Sequence, residues 1–137
     1  MPVSGAPLDI ALVTASTYPD CRPGETLLAE ALAARGVKAG PVIWDDPAVD
    51  WSRFRLALIR TAWDADKRRD EFVAWAERAG AQCSLWNPPE VVRWNTHKSY
   101  LRELESRGVP IVPTAGSRGV RLRTRVDRAR DERARCG

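Results

Sequence analysis

Two short stretches carry residue types that could do chemistry. The first is Arg60-Thr61-Ala62-Trp63-Asp64, directly after the apolar run at 56–59. A guanidinium can fork onto a carboxylate or phosphate through two parallel hydrogen bonds. Thr61 and Asp64 add polar groups, and Trp63 adds an apolar wall. The same residues also suit a plain helix-entry loop, with Asp64 as its cap and Arg60 paired to a nearby acid. Composition leaves these two readings even. The second stretch is 94–114, WNTHKSYLRELESRGVPIVPT. Asn95 or Thr96 is expected to cap a helix, with Tyr100, Leu101 and Leu104 as its apolar stripe. Gly108 should close it in the left-handed region. Val109, Ile111 and Val112 then read as a short strand bounded by Pro110 and Pro113. Lys98 falls in the first helical turn, where free N–H groups and the helix dipole favour anions. A phosphate facing both would resolve that conflict; spacing alone favours a solvated lysine.

The elements that must position these residues alternate in type. Residues 9–14, DIALVT, form a continuous apolar run suited to a strand buried on both faces of a parallel sheet. A turn-rich loop precedes a helix at 25–35, with Leu27, Leu28, Ala31 and Leu32 on one face and Gly36 as its stop. A second strand is expected at 37–44, with Pro41 marking an edge position. A third is expected at 56–59, a helix at 70–78 and a short fourth strand at 82–86. One helical turn after Pro89 and the fifth strand at 109–112 complete the list. Such alternation predicts right-handed βαβ units in a mainly parallel sheet of about five strands flanked by helices. Ligands of such sheets sit beyond the carboxyl ends of the strands, so Arg60 and Lys98 are expected to share one crevice there.

Composition narrows the function classes. The chain has 137 residues, enough for one domain with a substantial core. No apolar run approaches a membrane span, and the start MPVSGAPLDIALVT lacks the basic region of a signal peptide. A cytoplasmic protein with no membrane partner is expected. Cys21, Cys83 and Cys136 are odd in number and widely spaced, which argues against a disulfide framework. His97 is the only histidine, which argues against a Cys/His zinc site. Glycine-rich phosphate cradles of the dinucleotide-binding or P-loop kind are absent. Trp51 and Phe54 read as packing residues, and Trp44, Trp75 and Trp86 as core or half-buried rim. Trp94 reads as a staple onto the following helix, with a nucleotide-pocket wall as the alternative.

The net charge of +4 is unevenly spread. Residues 117–137 hold eight arginines and three acids, a balance of +5, leaving −1 for residues 1–116. The body is therefore nearly neutral, and nothing in it suggests a nucleic-acid surface. The expected division is an α/β domain at 1–115 and an arginine-rich disordered tail at 116–137. Either the tail is a basic arm that orders on nucleic acid, or the reading frame shifts near Ala115. The second is favoured.

Residues 8–115 resemble the N-terminal, pre-ATP-grasp domain of ATP-grasp carboxylate–amine ligases, of the cycloserine-synthetase-like and glutathione-synthase-like subgroup. WNTHKSYL with GVPIVPT is similar to the segment that leads into the ATP-grasp fold, RTAWD to an Arg-Ser/Thr-x-Trp-Asp-Tyr run, and VIWDDPAVDWSRF to a Trp-Asp-Asp segment. The chain departs from the pattern at His97, where an aspartate is usual, and at Ala65, where a tyrosine is. The resemblance implies that Lys98 contacts ATP phosphates and that Arg60, Thr61, Trp63 and Asp64 face a small carboxylate or amine substrate. It also implies a parent reaction in which ATP and Mg2+ activate a carboxylate as an acyl phosphate for attack by an amine. The metal-binding acids, the second phosphate lysine and the adenine-binding hinge would lie downstream of the match. An N-terminal fragment inactive alone, binding no cofactor alone and prone to self-association through an exposed interdomain surface, is therefore expected. The alternatives are a free-standing small-ligand module and a nucleic-acid binder acting through the basic tail.

Overall fold

Strand β1, Ile10–Thr14, is the centre of the fold. Ala11, Leu12, Val13 and Thr14 are all at most 1% exposed, as a continuous apolar run requires when both faces and both edges are covered. The computed structural model describes residues 7–20 and 23–113. Cys21, Cys136, Thr114 and the tail at 116–137 lie outside those residues. The chain divides into two units, residues 1–96 and 97–137.

In the first unit, β1 pairs in parallel with β2 (Ala39–Ile43) on one side and with β3 (Leu56–Thr61) on the other. Strand β4 (Ser84–Trp86) pairs in parallel with β3, giving the order β2-β1-β3-β4. Pro41 sits in β2, an edge strand, with its side chain exposed; an edge tolerates the missing donor. Helix α1 (Pro23–Ala33) joins β1 to β2, and α2 (Arg69–Gly80) joins β3 to β4. A single 3-10 turn at Trp51–Arg53, capped by the Asp50 carboxylate, lies between β2 and β3. Helix α3 (Pro89–Asn95) opens with Pro at its first position, where the missing N–H costs no intrahelical bond.

The core lies between α2 and the sheet. Phe72, Trp75, Ala76 and Ala79 of α2 pack against Ala11, Val13, Ala57 and Leu85. Trp44, Trp51, Phe72 and Trp75 form an aromatic group with ring centroids 5.0–6.1 Å apart, mostly edge-on, the arrangement that ring quadrupoles favour. Helix α3 closes over α2 through an Arg93–Glu77 ion pair and close contact at Gly80. A Cβ added to Gly80 would lie 2.7 Å from the Pro89 ring.

Helix α1 meets the protein on a stripe different from the expected one. Glu25, Leu28, Ala29 and Leu32 are half-buried, whereas Leu27 is 68% exposed and Ala31 is exposed. The stripe is therefore offset around the helix, and a charged residue belongs to it. The helix ends as expected at Gly36, with φ of 76° and the Val37 N–H donating to the Leu32 carbonyl. That bond pattern needs a left-handed residue. Trp86 is 60% exposed, beyond the core or half-buried position expected, because it ends the three-residue edge strand β4.

Along residues 94–108 the expected capping is corrected. Trp94 and Asn95 belong to α3, and Thr96 follows as its C-cap, the Thr96 hydroxyl donating to the Val92 carbonyl at 2.7 Å. The next helix, α4, runs from Tyr100 to Ser106. Lys98 precedes it in a turn rather than lying in its first turn. Pro89 sets off a full helix that absorbs the residues expected as caps. Gly108 closes α4 as expected, at φ 81° with the Val109 N–H donating to the Leu104 carbonyl. Residues 109–113 form no strand, so four of the five expected strands are present. Pro110 and Pro113 remove two donors from this short stretch.

Candidate functional site

In an open parallel sheet of order 2-1-3-4, consecutive crossovers leave in opposite directions on either side of the β1/β3 boundary, and ligands bind beyond the carboxyl ends at that boundary. Here the boundary is built from polar residues. Thr14 ends β1 and Thr61 ends β3, and their hydroxyl oxygens are 2.6 Å apart with residue exposures of 0% and 3%. The Thr14 hydroxyl donates to the Tyr18 carbonyl at 2.6 Å. Its one proton is thereby used, so Thr61 donates to Thr14. The chain Thr61→Thr14→Tyr18 ties the loop after β1 to the strand ends.

The register changes beside this pair. Val13 aligns with Ile59, but Thr14 aligns with Thr61, so Arg60 is the extra residue of a bulge. A bulge bends the strand and re-aims its side chain. The Arg60 guanidinium forks onto Glu25 of α1, with Nε donating to Oε2 at 2.7 Å and Nη2 to Oε1 at 2.9 Å. Arg60 is therefore paired with an internal acid, as the helix-entry reading expects, through the two-point contact that a guanidinium makes with a carboxylate. Trp63 is half-exposed at 51% and meets Tyr18 edge-on at 5.5 Å between ring centroids. The two rings form an apolar corner beside the hydroxyls.

Asp64 faces a different neighbour. One carboxylate oxygen accepts from the Trp44 indole N–H at 3.0 Å, and the other from Arg68 at 3.4 Å. It does not cap α2, whose N-cap Arg68 makes no side-chain cap bond. Arg68 also pairs with Asp45 and Glu71 and lies 4.6 Å from the Trp44 ring centroid, a distance at which cation and ring face attract. Its bonds to Glu71 and then Asp45 push the Arg68 pKa up, and the same Arg68 contact holds the Glu71 carboxyl below its usual range. This network locks the loop after β2 onto the loop after β3. Sequence reasoning placed Asp64 at the site and missed its latch partners. The signal available was Arg68 four residues after Asp64, the spacing of a helical ion pair.

Thr14, Tyr18 and Glu25 were also missed. Nothing in the sequence marks a threonine that ends an apolar strand as polar lining, and the Glu25 pairing depends on the bulge. Cys83, expected as a small core residue, is partly buried against the core, and burial pushes its thiol pKa up. A cavity of about 350 Å³ lies at the other end of the sheet, lined by Ile10, Val37, Leu56 and Trp86 with Asp9, Arg55 and Ser84. Its wall is largely apolar, and none of the expected site residues line it.

In the second unit, Lys98 is exposed, with its ammonium 5.9 Å from the Tyr100 ring centroid. It makes no ion pair among the described residues. His97 takes up the local capping. Its Nδ1 accepts the Ser99 backbone N–H at 3.3 Å and lies 2.8 Å from the Ser99 hydroxyl. An aspartate at this position would bond in the same way, so His97 supplies an acceptor for the turn that holds Lys98.

Fold and rim together define a parallel α/β domain with a polar, aromatic-flanked site at the carboxyl ends of its central strands. The chain belongs to the family described as D-cycloserine synthetase DcsG, N-terminal domain, which matches residues 10–87. It is 40% identical over 87 residues to the cycloserine biosynthesis protein DcsG of Streptomyces lavendulae, a match covering 64% of this chain and 29% of that protein. It is also similar to the crystal structure of D-cycloserine synthetase DcsG, with a TM-score of 0.68 and 36% identity, covering 76% of this chain and 35% of that one. The chain thus spans about a third of the length of these relatives.

Proposed function

We propose that this chain is the N-terminal, substrate-facing domain of an ATP-dependent carboxylate–amine ligase of the cycloserine-synthetase kind, and that ligation depends on the remainder of such an enzyme. The observation that carries the reading is the placement of the Arg60–Asp64 run. It lies inside the matched residues 10–87 and at the β1/β3 boundary. Arg60 would take the substrate carboxylate, and Trp63 with Tyr18 would limit its size. Thr61 keeps the strand end in place through Thr14, and Asp64 holds the Trp63 loop in place through Trp44 and Arg68. ATP would supply the phosphoryl group that activates the carboxylate, and Lys98, a cation with no ion-pair partner among the described residues, would hold its phosphates. Among the described residues no three His, Cys, Asp or Glu side chains group to hold a metal ion, so magnesium is assigned no ligand here.

A chimera tests this. Residues 1–113 replace the corresponding segment of the Streptomyces lavendulae protein, and ADP release is followed with its own substrate. ATP-dependent turnover is expected, with Lys98→Ala reducing kcat/KM for ATP by the loss of one charge-assisted contact, about 1.5–3 kcal/mol. A turning-over chimera indifferent to both Lys98→Ala and Arg60→Ala would contradict the assignment.

A further inference from the structure

We propose that Glu25 is a built-in stand-in for the ligand carboxylate: it holds the Arg60 fork until the carboxylate of a small ligand replaces it. The inference rests on the reading above that the β1/β3 rim receives a carboxylate, and it adds the group that the ligand must displace.

Four observations carry it. First, the contact already has the geometry of carboxylate recognition. Both Glu25 oxygens are engaged, one by Nε at 2.7 Å and one by Nη2 at 2.9 Å. A ligand carboxylate presents the same two oxygens at the same separation, so it can make the same two bonds without moving Arg60. Second, Arg60 is placed by a bulge rather than by regular pairing. Bulges re-aim side chains at functional sites, and an ordinary tie between a helix and a strand would not need one. Third, the pair is open on the arginine side, with side-chain exposures of 41% for Arg60 and 13% for Glu25. The exposed side of the guanidinium is where a second carboxylate can reach the fork, and after the exchange Arg60 still has a carboxylate partner. Fourth, Glu25 lies in the first turn of the eleven-residue helix α1. Once displaced, its charge remains beside the helix N–H groups and the favourable end of the dipole. The Trp63–Tyr18 ring pair spans the two loops that follow β3 and β1, so the rim that carries Arg60 also carries apolar surface.

The competition sets a direction that a purely structural tie does not share. Removing the Glu25 charge should tighten ligand binding, whereas removing a positioning residue should weaken it. The test follows the Arg60 Nε–H signal in 1H–15N spectra of the full chain at constant ionic strength. Sodium acetate and both hands of alanine serve as probes, with acetamide as the neutral control. Glu25→Gln and Glu25→Ala should both saturate with acetate at several-fold lower concentration than the unsubstituted chain. Acetamide should produce no shift, and in Arg60→Gln the backbone amides of residues 60–64, which should follow acetate in the unsubstituted chain, should no longer respond to it. Folding of each variant is checked by its amide dispersion, and Glu25→Asp, too short to span the fork from the same backbone position, should fall between. If the unsubstituted chain binds acetate at Arg60 but the Glu25 variants bind it equally or more weakly, the stand-in role is wrong and the rim reading survives. If no chain shows an acetate shift at Arg60, both are wrong.

Discussion

Among single residues, the two buried hydroxyls make the sharpest claim. Thr61 donates to Thr14, and Thr14 donates to the Tyr18 carbonyl. Thr61→Val removes one donor and leaves the second bond intact, with an expected cost of about 1 kcal/mol. Thr14→Val strands both the Thr61 proton and the Tyr18 carbonyl, and should cost more, up to about 3 kcal/mol. Urea midpoints at constant m-value measure both, and the reverse order would contradict the assigned donor direction. Glu71 gives a pH prediction. Its folded pKa is depressed by Arg68, so its stabilising contribution is fully present above the ordinary glutamate range and is lost as pH falls through the lower folded value. A carbon-detected titration of the Glu71 carboxyl should show the depression, and Arg68→Gln should remove it. The Arg68 pairs had a signal in their helical spacing, but neither the threonine pair nor Glu25 was legible in the sequence. Thr14 looks like the end of a buried strand, and Glu25 like an acid in a first helical turn. Their roles depend on a register change that no local pattern encodes.

Among elements, the contact between α2 and α3 runs against intrinsic propensity. Alanine is normally better than glycine inside a helix by about 1 kcal/mol. At Gly80 the new Cβ would meet the Pro89 ring at 2.7 Å, and a proline ring cannot swing aside. Gly80→Ala should therefore destabilise the domain by about 1–3 kcal/mol, the usual cost of overpacking, as read from thermal melts. The turn before α4 gives a second case. His97→Asp keeps an acceptor for the Ser99 N–H and should leave amide exchange at Ser99 unchanged, whereas His97→Ala should accelerate it. Here the sequence was partly legible. Gly36 and Gly108 were expected to close their helices and do, at φ 76° and 81°. Pro89 was expected to start one turn and starts a seven-residue helix, which moved Lys98 out of a first turn. Local rules fixed where helices stop better than how far they extend, because extension depends on packing, here of Pro89 against Gly80 and of Val92 into the core.

At the scale of the whole molecule, the hydrophobic pattern carried most of the architecture. Uninterrupted apolar runs at 9–14 and 56–59 became the two inner strands of a parallel sheet, and Pro41 marked an edge. The run at 109–112 resembled the others yet forms no strand, since two prolines interrupt its donors. Topology then located the site: the β1/β3 boundary is where the order 2-1-3-4 leaves its crevice, and the Arg60 run ends there. No helix among the described residues is long and apolar enough to cross a membrane. The 350 Å³ cavity at the amino ends of the strands is the rival location for a ligand. Backbone amide shifts of the full chain, titrated with alanine, distinguish the two ends directly. Shifts are expected to concentrate at Thr14, Tyr18 and 60–64 and to leave Ile10, Leu56 and Trp86 still. Shifts at Ile10, Leu56 and Trp86 with a silent carboxyl end would contradict it.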